Sequence, residues 1–155
     1  MNDVHFSSQT DRWFTPRWLY DNLDAEFHFD FDPALKTKVN WATDGLSVDW
    51  GKATFCNPPY SDIDRWVTKA YREHLKEKTV VLLIPSRTDT RWWHDYIMRA
   101  AEVRFIKGRI TFEGAKAGAP FPSCIVVFDL RRGPTKFTSL LQKAPTNQGD
   151  MEILL

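Results

Sequence analysis

The sequence predicts an α/β fold: a mainly parallel sheet covered by helices and closed by an antiparallel β pair. Three observations predict it. Stretches of strand character alternate with stretches whose apolar residues recur at helical spacing, which implies βαβ units with right-handed crossovers. The stretch TVVLLIP at 79–85 is apolar throughout, as strands covered on both faces are. The last β-rich stretches, EVRFIKGRITF and SCIVVFDL, follow one another without a helical pattern between them, and read as the antiparallel pair.

In chain order, Thr15-Pro16 opens a helix, with Thr15 as N-cap and Pro16 in the first turn, where its missing N–H costs nothing. Trp18, Leu19 and Leu23 form its apolar side. In FHFDFD, Phe27, Phe29 and Phe31 alternate with polar residues at the period of a strand, which Asp32-Pro33 closes. A second strand, Ala53 to Cys56, must stop at Pro58-Pro59, because two prolines cannot extend a ladder. Ser61 with Asp64 resembles a capping box for a helix that carries Ile63, Trp66, Val67, Ala70 and Tyr71. After strand 79–85 comes the loop SRTDT and a helix bearing Trp92, Trp93, Tyr96, Ile97 and Ala100.

The chain has 155 residues, 43% hydrophobic and 26% charged. That suits one compact core burying roughly 70% of the unfolded surface, and excludes collagen-like and broadly disordered chains. Residues 1–130 read as a single domain, and 131–155 as a loosely packed tail, where apolar periodicity is lost. No apolar run is long enough to span a membrane and no secretion signal opens the chain, so a cytoplasmic setting is expected. Cys56 and Cys124 fit neither a disulfide framework nor a zinc site, and the histidines show no metal spacing with them, so no metal is expected.

Charge is divided along the chain. Residues 1–64 hold 11 acidic and 5 basic side chains, whereas residues 65–155 hold 9 acidic and 16 basic ones. Such asymmetry suits one part that meets a cation and another that meets a polyanion.

Ligands of open α/β sheets bind outside the carboxyl ends of the strands. Three unusual loops are expected there: Asp32-Pro33-Ala34, Asn57-Pro58-Pro59-Tyr60 and PSRTDT. In the second, the prolines hold the backbone in a narrow extended range, so that the Asn57 side-chain oxygen and the Pro58 carbonyl converge as acceptors. Such a pair suits a substrate –NH₂ group. Accepting both its hydrogens draws the nitrogen lone pair out of conjugation and aims it at an electrophile, without a general base. Tyr60 offers a ring on which a planar base can stack, worth about 1–3 kcal/mol.

The ordered series QTDRWFTPRWLYDNL, FDFDPA, DGLSVDW, FCNPPYSDIDRWVTKA, VLLIPSRTDTRWW, RFIKGRITFEG and APFPSCIVVF resembles the phage-type DNA N6-adenine methyltransferases over roughly residues 10–130. NPPY alone is shared with amino-methyltransferases that act on RNA bases or on protein glutamine; the series is more specific. The resemblance implies an abbreviated Rossmann-like methyltransferase fold that uses S-adenosyl-L-methionine, encoded by a phage or prophage and acting on double-stranded DNA in a bacterial host. It assigns Asn57, Pro58, Pro59 and Tyr60 to catalysis, and Trp13, Phe14, Thr15, Pro16, Asp32 and Pro33 to the cofactor. Asp44 or Asp49 is left to reach the adenosine moiety, Asp44 being the one assigned. A departure stands beside this: DPALKTK follows the first strand, with no glycine-rich loop.

An acidic N-terminal portion favours a ligand carrying a sulfonium and an ammonium. The helix start at Thr15 is placed to receive its carboxylate. In the basic remainder the candidates for contact with DNA phosphates are Arg65, Lys69 and Arg72 on one helix, Arg87 and Arg91 around the third loop, and Lys107, Arg109 and Lys116 near the last β pair, with Arg87, Arg91, Arg109 and Lys116 the residues assigned. Two other functions remain open: an amino-methyltransferase on RNA or protein glutamine, and a silent nucleic-acid-binding relative.

Overall fold

A computed structural model describes residues 13–34 and 44–142. Five strands form one sheet: β1 (Ala53–Cys56), β2 (Thr79–Pro85), β3 (Glu102–Ile106), β4 (Ser123–Phe128) and β5 (Lys136–Leu140), in the order β1-β2-β4-β3-β5. Helices α1 (Arg17–Phe27), α2 (Ile63–His74) and the short α3 (Arg91–Asp95) cover it. The register decides which residues share a face. Phe55 aligns with Val81 and Val127, and this face meets α1 through Tyr20, whose ring stands edge-on to Phe55 at 5.3 Å. On the opposite face Phe128 meets Tyr71 and His74 of α2. With helices on both sides, β2 and β4 are buried along their whole lengths, which explains their unbroken apolar runs.

The α/β class expected from the sequence is the one observed, but the ladders differ from a mainly parallel sheet. β1–β2 and β3–β5 are parallel, while β2–β4 and β3–β4 are antiparallel. The cause is the connection from β3 to β4, which has no helix to carry the chain back to the starting edge, so β4 returns antiparallel and inserts between β2 and β3.

Four local expectations are corrected. FHFDFD does not form a full strand: Phe27 still belongs to α1, His28 ends the helix at φ 53°, and only Phe31 bridges to Thr54. The Asp30 carboxylate accepts the backbone N–H groups of Lys52 (3.2 Å) and Ala53 (3.1 Å), so this segment steadies the start of β1. Thr15 is not the N-cap of α1; Pro16 occupies that position and its carbonyl accepts from Leu19 and Tyr20. A 3₁₀ turn, Tyr60–Asp62, precedes α2, so Ser61 lies within it rather than capping. In the 131–155 tail, residues 136–140 pair with β3 as the edge strand β5, and 143–155 lie outside the described residues. β5 escapes periodicity analysis because it is largely exposed.

Glu73 ties α2 to the loops beneath it. Its side chain is fully buried and accepts from Lys69 (2.6 Å), Lys78 (2.6 Å) and Lys76 (3.1 Å), and from the Trp50 N–H (3.3 Å). Burial alone would raise this carboxyl's pKa, but the three lysines and the N–H outweigh it and hold the group at about 2. Lys69, expected to face DNA, is thus committed to Glu73.

The folded value lies below the unfolded one, so Glu73 contributes stability above about pH 4.5 that is lost as pH falls through about 2. The shift corresponds to roughly 3 kcal/mol. Glu73→Gln is expected to cost about 3–5 kcal/mol at pH 7, because the largely buried Lys69 and Lys78 lose their charged partner while Lys76 keeps Asp49, and to flatten the acid limb of stability. Urea unfolding at pH 7 and pH 3 measures both effects.

Candidate active site

The carboxyl ends of β1, β2, β3 and β5 and the amino end of β4 lie on one edge of the sheet, as their registers require. The loops Asn57–Asp62, Ser86–Thr90 and 107–122 leave or enter the sheet there. Asp32 follows the Phe31 bridge onto the same edge. The chain segment before α1 is drawn in beside them: Phe14 bridges Glu113, whose N–H donates to the Phe14 carbonyl at 2.9 Å. The Trp13 ring packs against Phe112 (5.1 Å) and Phe121 (5.8 Å).

Asn57 is the centre of this arrangement. It is 6% exposed. Its Nδ2 donates to the Trp13 carbonyl at 2.6 Å and to Thr15 Oγ1 at 3.1 Å, while its Oδ1 is buried and has no hydrogen-bond partner among the described residues. A buried acceptor without a partner costs about 1–3 kcal/mol, and such an exception calls for a reason. The same residue lines a cavity of about 470 Å³ together with Thr15, Asp32, Tyr20, Phe55 and Trp13 among others.

That cavity joins the NPPY corner to the Asp32 loop, as an amine-and-cofactor site requires. Trp13, Phe14, Thr15 and Asp32 of the expected cofactor residues line it; Pro16 and Pro33 are not in the lining. The Pro33 carbonyl packs so closely on Gly45 that a Cβ there would collide with it. Asp44 is not in the lining: it is exposed and accepts the Leu46 N–H in its own turn. Asp49 is not there either, being paired with Lys76 at 2.8 Å.

Sequence reasoning missed Arg17, Tyr20, Asp21, Ala34 and Phe55 in the lining. Arg17, Tyr20 and Asp21 fall at i, i+3 and i+4 on α1, a face that helical spacing makes legible. Burial first, then the carboxylates of Asp24, Asp32 and Asp21, raise the Tyr20 pKa. The lining thus combines aromatic rings with two carboxylates, Asp21 and Asp32, and one guanidinium, Arg17, which stands 3.6 Å from Asp21. No glycine-rich loop replaces the expected one; instead the Asp32 carboxylate accepts the Ala34 N–H at 3.1 Å and shapes the turn itself.

Tyr60 departs from expectation. Its ring is buried among Phe121 (5.5 Å, edge-on) and Phe112 (6.5 Å), and it does not line the cavity. Burial also raises its pKa well above the ordinary value. It is a wedge under the corner rather than a stacking platform. Cys124 is likewise inert: burial pushes its thiol up to about 12.

Arg87, Arg109 and Lys116 are exposed in loops at the site's edge and make no ion pair among the described residues. Arg91 is set against Asp95 at 3.4 Å, an exposed contact. Among the described residues no group of His, Cys, Asp and Glu is arranged to hold a metal ion, and no helix is long and apolar enough to cross a membrane.

With this geometry in place, the chain can be set beside known proteins. The family model described as DNA N-6-adenine-methyltransferase (Dam) matches residues 4–150. A DNA N-6-adenine-methyltransferase of Haemophilus phage HP1 is 28% identical over 139 residues, covering 79% of this chain and 80% of the relative. One from Escherichia phage T1 is 31% identical over 111 residues, covering 65% of this chain and 47% of the relative. A solved structure described as a predicted O-methyltransferase from Agrobacterium tumefaciens superposes at TM-score 0.39 with 16% identity, over 77% of this chain and 57% of the other.

The placement of Tyr60 has a measurable consequence. Its hydroxyl meets the Leu83 carbonyl only at 3.4 Å, so Tyr60→Phe is expected to change stability by less than about 1 kcal/mol. Tyr60→Ala is expected to cost about 3–5 kcal/mol as a core truncation. Equilibrium unfolding separates the two.

Proposed function

The chain belongs to the DNA N-6-adenine-methyltransferase (Dam) family, and we propose that it transfers a methyl group from S-adenosyl-L-methionine to the exocyclic amine of adenine in double-stranded DNA. The single observation that carries this reading is the buried, unpartnered Oδ1 of Asn57, a residue that lines the cavity. A buried acceptor left without a partner suits an –NH₂ donor. The Pro58 carbonyl supplies the second acceptor.

The residues present suit the cofactor. About 470 Å³ lies within the usual range for small-molecule sites, and a lining in which two carboxylates, Asp21 and Asp32, outnumber the one guanidinium, Arg17, beside aromatic rings suits a cationic ligand with a planar base. Trp13, Phe14, Thr15 and Asp32 would hold it, with Tyr20 and Phe55 as further walls. When bound, S-adenosyl-L-methionine supplies an electrophilic methyl on sulfur. The protein's own contribution is orientation: Asn57 and Pro58 fix the amine and keep its lone pair free to attack.

A base stacked inside a duplex cannot reach an acceptor buried in such a cavity, so the adenine is extruded, at a cost of a few kcal/mol that pocket contacts must offset. Arg87, Arg109 and Lys116, with Arg91 beside them, rim this edge and meet the phosphates. Relatives from phages support a role on DNA within a bacterial host cell.

Asn57→Ala is expected to lower methyl transfer at least about 100-fold while leaving cofactor affinity, measured calorimetrically, within a few-fold. Near-normal turnover of that variant would overturn the reading. Replacing Arg87 and Arg109 together with Ala is expected to reduce the slope of log K against log salt for duplex DNA by about 1.8, at roughly 0.9 per lost phosphate contact. An unchanged slope would remove both residues from the DNA surface.

A further inference from the structure

We infer that Thr15 is a positioning residue for Asn57, and that the Trp13 carbonyl beside it restricts position 57 to asparagine; the inference rests on the methyl transfer proposed above. A carboxamide has two ends that differ in chemistry but hardly in shape, so a pocket of the right size accepts either sense. What selects the sense here is the Trp13 carbonyl, which can only accept, while the Thr15 hydroxyl takes the second hydrogen. The Asn57 Nδ2 hydrogens are divided between the Trp13 carbonyl (2.6 Å) and Thr15 Oγ1 (3.1 Å), which leaves Oδ1 as the end without a partner. Turned over, the amide would set Oδ1 against the Trp13 carbonyl oxygen, and neither group carries a hydrogen to share.

The position of these acceptors is itself held. The Phe14 bridge to Glu113 and the packing of the Trp13 ring on Phe112 fix the main chain that carries both. Thr15 therefore has no helix to cap and a hydrogen bond to accept. An aspartate at position 57 would keep an acceptor toward the cavity but would face the Trp13 carbonyl with a second acceptor, carrying a charge. Retaining a carboxylate is therefore not conservative in this corner.

The test compares Thr15→Val, Thr15→Ser, Asn57→Asp and Asn57→Ala in the full chain, with turnover on duplex DNA, calorimetric affinity for S-adenosyl-L-methionine and the ¹⁵N resonances of the Asn57 side-chain amide. Thr15→Val keeps the shape of the wall and removes the acceptor. It is expected to lower kcat, measured at saturating S-adenosyl-L-methionine, roughly tenfold, and to shift the Asn57 amide resonance. Thr15→Ser is expected to recover most of the loss. Asn57→Asp is expected to lose more than Thr15→Val.

Wild-type kcat for Thr15→Val, in a protein that Asn57→Ala inactivates, would overturn the positioning role while leaving the proposed function standing. Thr15→Ser as impaired as Thr15→Val would overturn it too, by showing that packing and not the hydroxyl matters. Full turnover of Asn57→Asp would overturn the asparagine restriction. Retained turnover of Asn57→Ala would defeat the underlying reading instead.

Discussion

The two hydrogen bonds from the Asn57 amide nitrogen to Trp13 and Thr15 are the constraint on which the site depends. They join residues 44 and 42 positions apart in the chain, and so bring the segment before α1 against the end of β1. They also consume the donor end of the carboxamide and leave the acceptor end alone. The acceptor's unfavourable isolation, about 1–3 kcal/mol, persists because the surroundings are over-determined: two prolines fix the backbone after Asn57, and Tyr60, Phe112, Phe121 and Trp13 interlock beneath it.

Charge is sorted by the fold in a way that total charge hides. Much of the basic C-terminal portion is spent on structure: Lys69, Lys76 and Lys78 on Glu73, and Arg104 on Glu26 and Glu102. The Arg104 pair is bidentate to Glu26 at 2.7 Å and fastens α1 to β3. The cations left over at the site's edge, Arg87, Arg109 and Lys116, are those in loops. On the other side, Asp21 and Asp32 line the cavity, with Arg17 3.6 Å from Asp21 as the one basic side chain in the lining. An acidic pocket with a basic rim is the arrangement that a cationic cofactor and a polyanionic substrate together require.

Much of this was legible in the sequence, for identifiable reasons. The proline pair marks the end of β1 because proline has no N–H to give a ladder, and the unbroken apolar run of β2 marks a strand covered on both faces. The NPPY corner and the Asp32 loop fall on one edge because both follow strand-like segments. What escaped was set by distant partners. Thr15 looks like a cap, since Ser/Thr before proline opens many helices, yet its hydroxyl is claimed by a residue 42 positions on. FHFDFD has a strand's period, but α1 runs through Phe27 and the Asp30 side chain replaces part of the ladder. Tyr60 reads as an exposed ring, and only the packing of the 107–122 loop shows it to be covered. β5 has too little apolar content to announce itself, being an exposed edge.

The most direct test of Asn57 as the acceptor for an adenine amine is nucleoside mass analysis after incubating the protein with methyl-labelled S-adenosyl-L-methionine, duplex DNA, RNA and host protein. Labelled N6-methyladenine is expected in the DNA with wild-type protein, and none with Asn57→Ala. Label confined to RNA or protein, or equal label in DNA from both proteins, would contradict it.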